Sequence, residues 1–195
     1  MALVVLLVWG TDQVTKLLAV DRLVEGEPVA VVDGVLDLYL LYNPGAAFSL
    51  GTGATPLLTA FAVVVVVGVA VVARRLGSRA WALTLGVLMG GALGNLTDRL
   101  LREPGPLHGH VVDFLRLPRW PVFNVADMAV VTAAVLVVLL TLRGVGVDGS
   151  REGRDGTTGT PDTDGAPDVP DARDARDGDA APTEGHDDEG GPRRG

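Results

Sequence analysis

The chain has 195 residues, of which 48% are hydrophobic, and a formal net charge of −8. Residues 1–143 hold ten acidic and ten basic side chains, so the charge excess lies wholly in residues 144–195 and says nothing of what the first part binds. No cysteine is present, which excludes a disulfide framework, a zinc–thiolate site and a cysteine nucleophile.

The first apolar segment, Ala2–Val20, carries Asp12 and Lys16. It has neither a basic stretch ahead of it nor a small-residue cleavage site behind it, and is expected to be a membrane span, not a cleaved leader. Asp12 and Lys16 are four residues apart, so they share a helix face and can pair. Next come Val29–Val32 and Val35–Tyr42, flanking Asp33-Gly34, a two-residue hairpin signal. This predicts a small sheet lying on the membrane surface within residues 27–50. Asn43-Pro44-Gly45-Ala46-Ala47-Phe48 then forms a tight loop of small residues ending in an aromatic.

Leu57–Ala73 is uncharged for 17 residues and Ala80–Thr97 for 18. Each approaches the length of about 20 residues that crosses a hydrocarbon core of about 30 Å. Asn95, Asp98 and Arg99 fall at the end of the latter. The following loop holds Pro104, Gly105, Pro106, His108 and His110, then Val111–Leu117. Two histidines with no third ligand at helical spacing read as interfacial polar residues and not as a metal site. Phe123–Leu142 is the fourth span, with Asp127 its only charge and Asn124 three residues earlier. From Gly144 onward Gly, Asp, Pro, Ala, Arg and Thr dominate, and the segment 144–195 is expected to be a disordered acidic tail.

Valine runs with no polar face argue against a soluble bundle. The expected fold is therefore membrane all-α: four transmembrane helices in residues 1–143, a small β-sheet on one surface, and the tail. Four spans put both termini on one side. They also bring the polar groups of spans 1, 3 and 4 to one membrane face, where ionisable side chains mark a functional site. The arginines do not fix orientation: Arg74, Arg75, Arg79 and Arg143 lie on one face, Arg22, Arg99, Arg102, Arg116 and Arg119 on the other. Asp12/Lys16 and Asp98/Arg99 read equally well as structural pairs.

Five strings in order, Asp12-Gln13-Val14-Thr15-Lys16, Asn43–Phe48, Gly90–Arg99, Val111-Val112-Asp113-Phe114 and Phe123-Asn124-Val125-Ala126-Asp127, together resemble the lipoprotein signal peptidases, or signal peptidase II. The resemblance covers roughly residues 2–143. It implies a bacterial plasma-membrane aspartyl endopeptidase with four helices and an extracytoplasmic β-cradle, its active site on that outer side and both termini cytoplasmic. Such an enzyme removes signal peptides from diacylglyceryl-modified prolipoproteins, cutting on the N-terminal side of the lipidated cysteine, and is inhibited by globomycin-type cyclic peptides. Carried over by position, Asp113 and Asp127 would be the catalytic dyad. Asn43, Asn95, Arg99 and Asn124 would line and brace the site, and Asp12 with Lys16 would support it. Two departures stand out: the interval between Asp113 and Asp127 is shorter than usual for the family, and the acidic tail has no counterpart in its pattern.

Two close carboxylates suit this chemistry. They do not both ionise easily, so the pair shares a proton and offers an acid and a base together. Asp98, beside Arg99, is a rival for one place in the dyad or a structural ion pair. Membrane lipids are the expected surroundings, and no metal, cofactor or nucleic acid is expected. A small transporter or ion pathway is the alternative reading, since intramembrane charges also mark those; a non-catalytic scaffold is a third.

Overall fold

The computed structural model describes residues 1–45 and 55–150. Among the described residues, four helices are long and apolar enough to cross a membrane: α1 (Ala2–Arg22), α2 (Thr55–Ala73), α3 (Arg79–Leu101) and α4 (Val125–Leu142). A three-stranded antiparallel sheet, β1 (Pro28–Val32), β2 (Leu36–Asn43) and β3 (Val111–Arg116), is inserted between α1 and α2 and between α3 and α4.

The helices are inside out by the standard of a water-soluble protein. On α1 the buried residues are Asp12, Lys16 and Ala19, while Leu3, Leu6, Leu7, Val14, Leu17 and Leu18 face outward. On α2 the buried set is Thr55, Thr59 and Val69, with Leu57, Phe61, Val64, Val67 and Val71 exposed. Aliphatic side chains outside and ionisable ones inside is the arrangement a lipid solvent favours, because an unpaired charge cannot face hydrocarbon.

α3 is the central helix and packs against each of the other three. Close approach to α1 and α4 needs glycine. A Cβ at Gly90 would lie 2.7 Å from the Val8 Cβ, and one at Gly91 would lie 2.7 Å from the Ala126 carbonyl oxygen. A Cβ at Gly94 would overlap the Asp12 carboxylate and lie 3.1 Å from the Ala126 Cβ. Small residues at helix crossings let backbones meet where no hydrophobic effect drives association.

The hairpin forms at the expected place, with the Val35 N–H donating to the Val32 carbonyl 2.9 Å away across Asp33-Gly34. Val35 itself belongs to the turn. The third strand is a departure: Val111–Arg116 joins the sheet beside β2, where a return loop was expected. The sheet packs on the end of α1 through Ala19, Leu40, Val112 and Phe114. α3 runs one turn beyond Thr97, so Asp98 and Arg99 sit within the helix, and α4 starts at Val125, leaving Phe123 to pair with Leu115 of β3. Pro44 and Gly45 are described, whereas Ala46, Ala47 and Phe48 of the expected loop lie outside the described residues. Thr55 and Thr59, at the start of α2, hold the Pro44 and Leu107 carbonyls at 2.5 and 3.0 Å.

Residues 144–150, read from composition as the start of the tail, have a defined place. Gly77 and Ser78 donate to the Val147 carbonyl at 3.1 and 3.2 Å, and Trp81 Nε1 donates to the Val145 carbonyl at 2.7 Å. Val145 and Val147 pack on a cluster of Val69, Trp81, Leu85 and Leu140. Composition alone is blind to this: two valines and two backbone carbonyls suffice to seat a short segment.

Candidate active site

α4 opens with a reciprocal cap. The Asn124 side-chain oxygen accepts from the Asp127 N–H at 3.0 Å, and the Asp127 carboxylate accepts from the Asn124 N–H at 3.1 Å. Such a box satisfies two of the donors left over at a helix start, and the positive end of the helix favours an anion in the first turn. The Asn124 amide nitrogen is left to point elsewhere. It donates to Asp113 Oδ1 at 2.6 Å and to Asn95 Oδ1 at 3.2 Å. One fully buried asparagine thus bonds both carboxylates, one from β3 and one from α4.

Asp113 is 1% exposed. Its second oxygen accepts from Asn43 Nδ2 at 2.8 Å, and Asn43 in turn accepts from the Gly45 N–H at 2.8 Å, so the end of β2 is tied to the site. Burial pushes the Asp113 carboxyl up from the ordinary 3.8 to about 7, and the nearby Asp127 charge adds to the rise; the hydrogen bonds from Asn43 and Asn124, and the charge of Lys16, oppose it. Burial and a like charge both disfavour the ionised form. Asp127 is half-buried and accepts from Asn95 Nδ2 at 2.8 Å.

Behind this pair lies a second layer centred on Lys16, which is fully buried. Its ammonium touches Asp12 at 2.9 Å, Asp98 at 2.7 Å and Asn95 Oδ1 at 2.9 Å. Asp12 also accepts the Ala126 N–H at 2.9 Å, between Asn124 and Asp127, so α1 holds the start of α4 by its backbone. Gln13 bridges Asp12 and the Gly94 carbonyl, each at 3.1 Å.

The structure brings all nine expected residues to one end of the bundle, with one pairing changed. Among the described residues Asp98 makes no close ion pair with its neighbour Arg99, although the two charges still attract. Its partners are Lys16, Arg102 Nε at 2.6 Å and the Val112 N–H at 3.3 Å, which occupy both oxygens and fix the strand one residue before Asp113. Successive helix residues diverge by about 100°, whereas Arg102, four further on, shares the Asp98 face. That spacing was available in the sequence, as was the Asn-x-x-Asp cap. The backbone donors Ala126 and Val112 carried no signal, because any residue can supply an N–H. Arg99 instead interacts electrostatically with Asp113, Asp127 and Asp98, and its buried Nη1 has no hydrogen-bond partner among the described residues. His108 meets the Pro106 carbonyl at 3.2 Å through Nδ1.

A sequence profile of the family described as Signal peptidase (SPase) II matches residues 4–143. The chain belongs to the signal peptidase II family. Among its relatives, the lipoprotein signal peptidase of Rhodococcus jostii (strain RHA1) is 53% identical over 130 residues, which is 67% of this chain and 66% of that protein. The lipoprotein signal peptidase of Mycobacterium tuberculosis (strain ATCC 25618 / H37Rv) is 52% identical over 134 residues, 69% of this chain and 66% of that protein. The matched part therefore spans about two thirds of the length of these signal peptidase II relatives. A bacterial membrane enzyme solved by the in meso method at 2.3 Å has a TM-score of 0.64 and 25% identity, covering 72% of this chain and 85% of that one. A second, solved at 1.9 Å, has a TM-score of 0.65 and 24% identity over 72% of this chain and 91% of that one, a likeness of fold. Residues 4–143, which the family profile matches, contain the sheet, α2, α3, α4, all but the first two residues of α1 and every residue of the network above.

Proposed function

We propose that this chain is an aspartic endopeptidase of the bacterial plasma membrane that removes signal peptides from diacylglyceryl-modified prolipoproteins, with Asp113 and Asp127 as its catalytic dyad. The observation that carries this reading is the bonding of both carboxylates to one buried asparagine. Two aspartates coupled in a poorly hydrated place hold one proton between them near neutral pH. The ionised member takes a proton from water as that water attacks the scissile carbonyl carbon, and the protonated member gives its proton to the carbonyl oxygen. When the tetrahedral intermediate collapses, the carbon–nitrogen bond breaks, the amine of the lipidated cysteine takes a proton, and the dyad is restored.

The contacts support the roles of the other residues in this reading. Asn43 and Asn124 orient Asp113, and Asn95 orients Asp127. Lys16, Asp12 and Asp98 hold the helices and β3 in register. The unpartnered Arg99 Nη1 is a donor available to a substrate carbonyl. The sheet and the Asn43-Pro44-Gly45 turn flank an extended peptide while its acyl chains stay in lipid, each buried CH₂ contributing about 0.8 kcal/mol. In this reading the site faces the extracytoplasmic side and both termini the cytoplasm. A cyclic peptide of the globomycin type, with a hydroxyl between the two carboxylates, would occupy the site. The polar network gathers at one end of the bundle and does not run through it, which gives a transport pathway no support.

The test is cleavage of a purified prolipoprotein with and without its diacylglyceryl group by the reconstituted protein, with products read by mass spectrometry. The lipidated substrate should yield a new N-terminal modified cysteine and the unlipidated one almost none. Equal rates on both would contradict the lipid requirement.

A further inference from the structure

The outside of the β1–β2 hairpin is apolar where a soluble sheet would be polar. Every residue of β1 is exposed, Val29, Val31 and Val32 among them, and so is Val35 beyond the turn. Among the described residues β1 is also the sheet edge, pairing with β2 alone. A valine-rich exposed edge strand is an association hazard in water and calls for a cover.

A second loop meets the hairpin at its tip. Gly34 and Val35 share a cavity of about 360 Å³ with Asp37, Arg116, Leu117, Pro118, Arg119 and Trp120. Trp120 is 65% exposed. Arg116 is already engaged, bonding Asp37 at 2.6 Å and lying over the Tyr39 ring. Arg119 is exposed and has no hydrogen bond or ion pair among the described residues. An exposed tryptophan, exposed valines and an unpaired arginine therefore sit together on one patch.

The position of the patch along the chain says what covers it. Trp120 lies five residues before the first residue of α4, and Pro28 lies six residues after the last residue of α1. Both spans end at this face, so the patch is tethered to the plane where they leave the bilayer. Tryptophan is enriched at that depth, its ring in the acyl boundary and its N–H among headgroups. The exposed Asp33 at the hairpin tip opposes deep entry and keeps the contact shallow.

We propose that the hairpin tip and the 117–120 loop form an interfacial anchor, in which Val32, Val35 and Trp120 enter the outer edge of the acyl region and Arg119 pairs with phospholipid phosphate. The anchor rests on the four spans and is independent of the peptidase reading. It has a consequence for the site: β3 carries Asp113 and leads directly into the anchored loop, so the bilayer surface sets the depth of that carboxylate.

The full chain in vesicles of phosphatidylcholine and phosphatidylglycerol tests this. The sequence has three tryptophans, so replacing Trp9 and Trp81 by Phe leaves Trp120 as the only emitter. Its fluorescence should be quenched at least twofold by lipids brominated near the top of the acyl chains, less by lipids brominated near their ends, and weakly by aqueous iodide. Strong iodide quenching with no effect of brominated lipid overturns the anchor. Trp9 and Trp81 both make hydrogen bonds, so a second probe guards against a misfolded variant. The chain has no native cysteine, and Val35→Cys accepts a single spin label. The label should be more accessible to oxygen than to a water-soluble nickel chelate. The reverse order, or broadening that reports a second label nearby, overturns the proposal in favour of water or another copy of the chain as the cover.

Discussion

Lys16 is the residue on which the second layer of the site turns. Its buried ammonium lies between Asp12 and Asp98, and each carboxylate has a further task, Asp12 on the Ala126 N–H and Asp98 on the Val112 N–H. Lys16→Met would leave the buried Asp12 without a cation and Asp98 with Arg102 alone, and breaking a buried pair in this way typically costs about 3–5 kcal/mol. Thermal unfolding in detergent should show that destabilisation; a midpoint within experimental error of the parent would contradict the assigned role. Asp113 makes a prediction of a different kind. Its folded-state pKa of about 7 lies above the ordinary 3.8, so the folded chain holds that proton more tightly than the unfolded one. Its contribution to stability is full below about pH 4, falls as pH rises, and is lost above about pH 7. Asp113→Asn removes the group, and the fall in unfolding midpoint between these pH values should be smaller in the variant. An unchanged pH profile would show that Asp113 does not titrate in that window.

The helices were legible from the sequence because their signal is long: uninterrupted apolar runs, with Asp12, Lys16 and Asp127 as the few interruptions. Strand β3 was not legible. Its first four residues are all buried, with Asp113 among them, so the alternation that betrays a half-buried strand is missing. The hairpin was readable because Asp33-Gly34 is a local signal, whereas β3 pairs with a strand some seventy residues earlier, a long-range choice no local pattern encodes. The glycines of α3 are a third case: visible as residues, but their purpose appears only once Asp12 is seen filling the space beside Gly94. Gly94→Ala should displace the Asp12 carboxylate and weaken its bond to Ala126, at a cost of about 1–3 kcal/mol for overpacking. Activity should fall with it, because that bond holds the turn carrying Asp127. Parent-like stability and turnover would show that α1 and α3 can part without harm.

For the molecule as a whole, we infer that the part needed for stability and turnover reaches beyond the last residue of α4 to about residue 150. Val145 and Val147 are seated on the α2–α3 turn. Residues 151–195, in contrast, contain no aromatic side chain and a single aliphatic one larger than alanine, Val169. Deleting 151–195 should leave unfolding midpoint and turnover unchanged, while deleting 144–195 should lower the midpoint by stripping Trp81 of its acceptor and the cluster of its cover. Equal effects of the two deletions would contradict this boundary. In the proposed mechanism Asp113 and Asp127 together perform the cleavage. The most direct measurement is turnover of a purified diacylglyceryl-modified prolipoprotein by reconstituted Asp113→Asn and Asp127→Asn variants, each first shown to be folded by its thermal unfolding transition. Both variants should be folded and neither should release detectable signal peptide; parent-like cleavage by either folded variant would contradict the dyad.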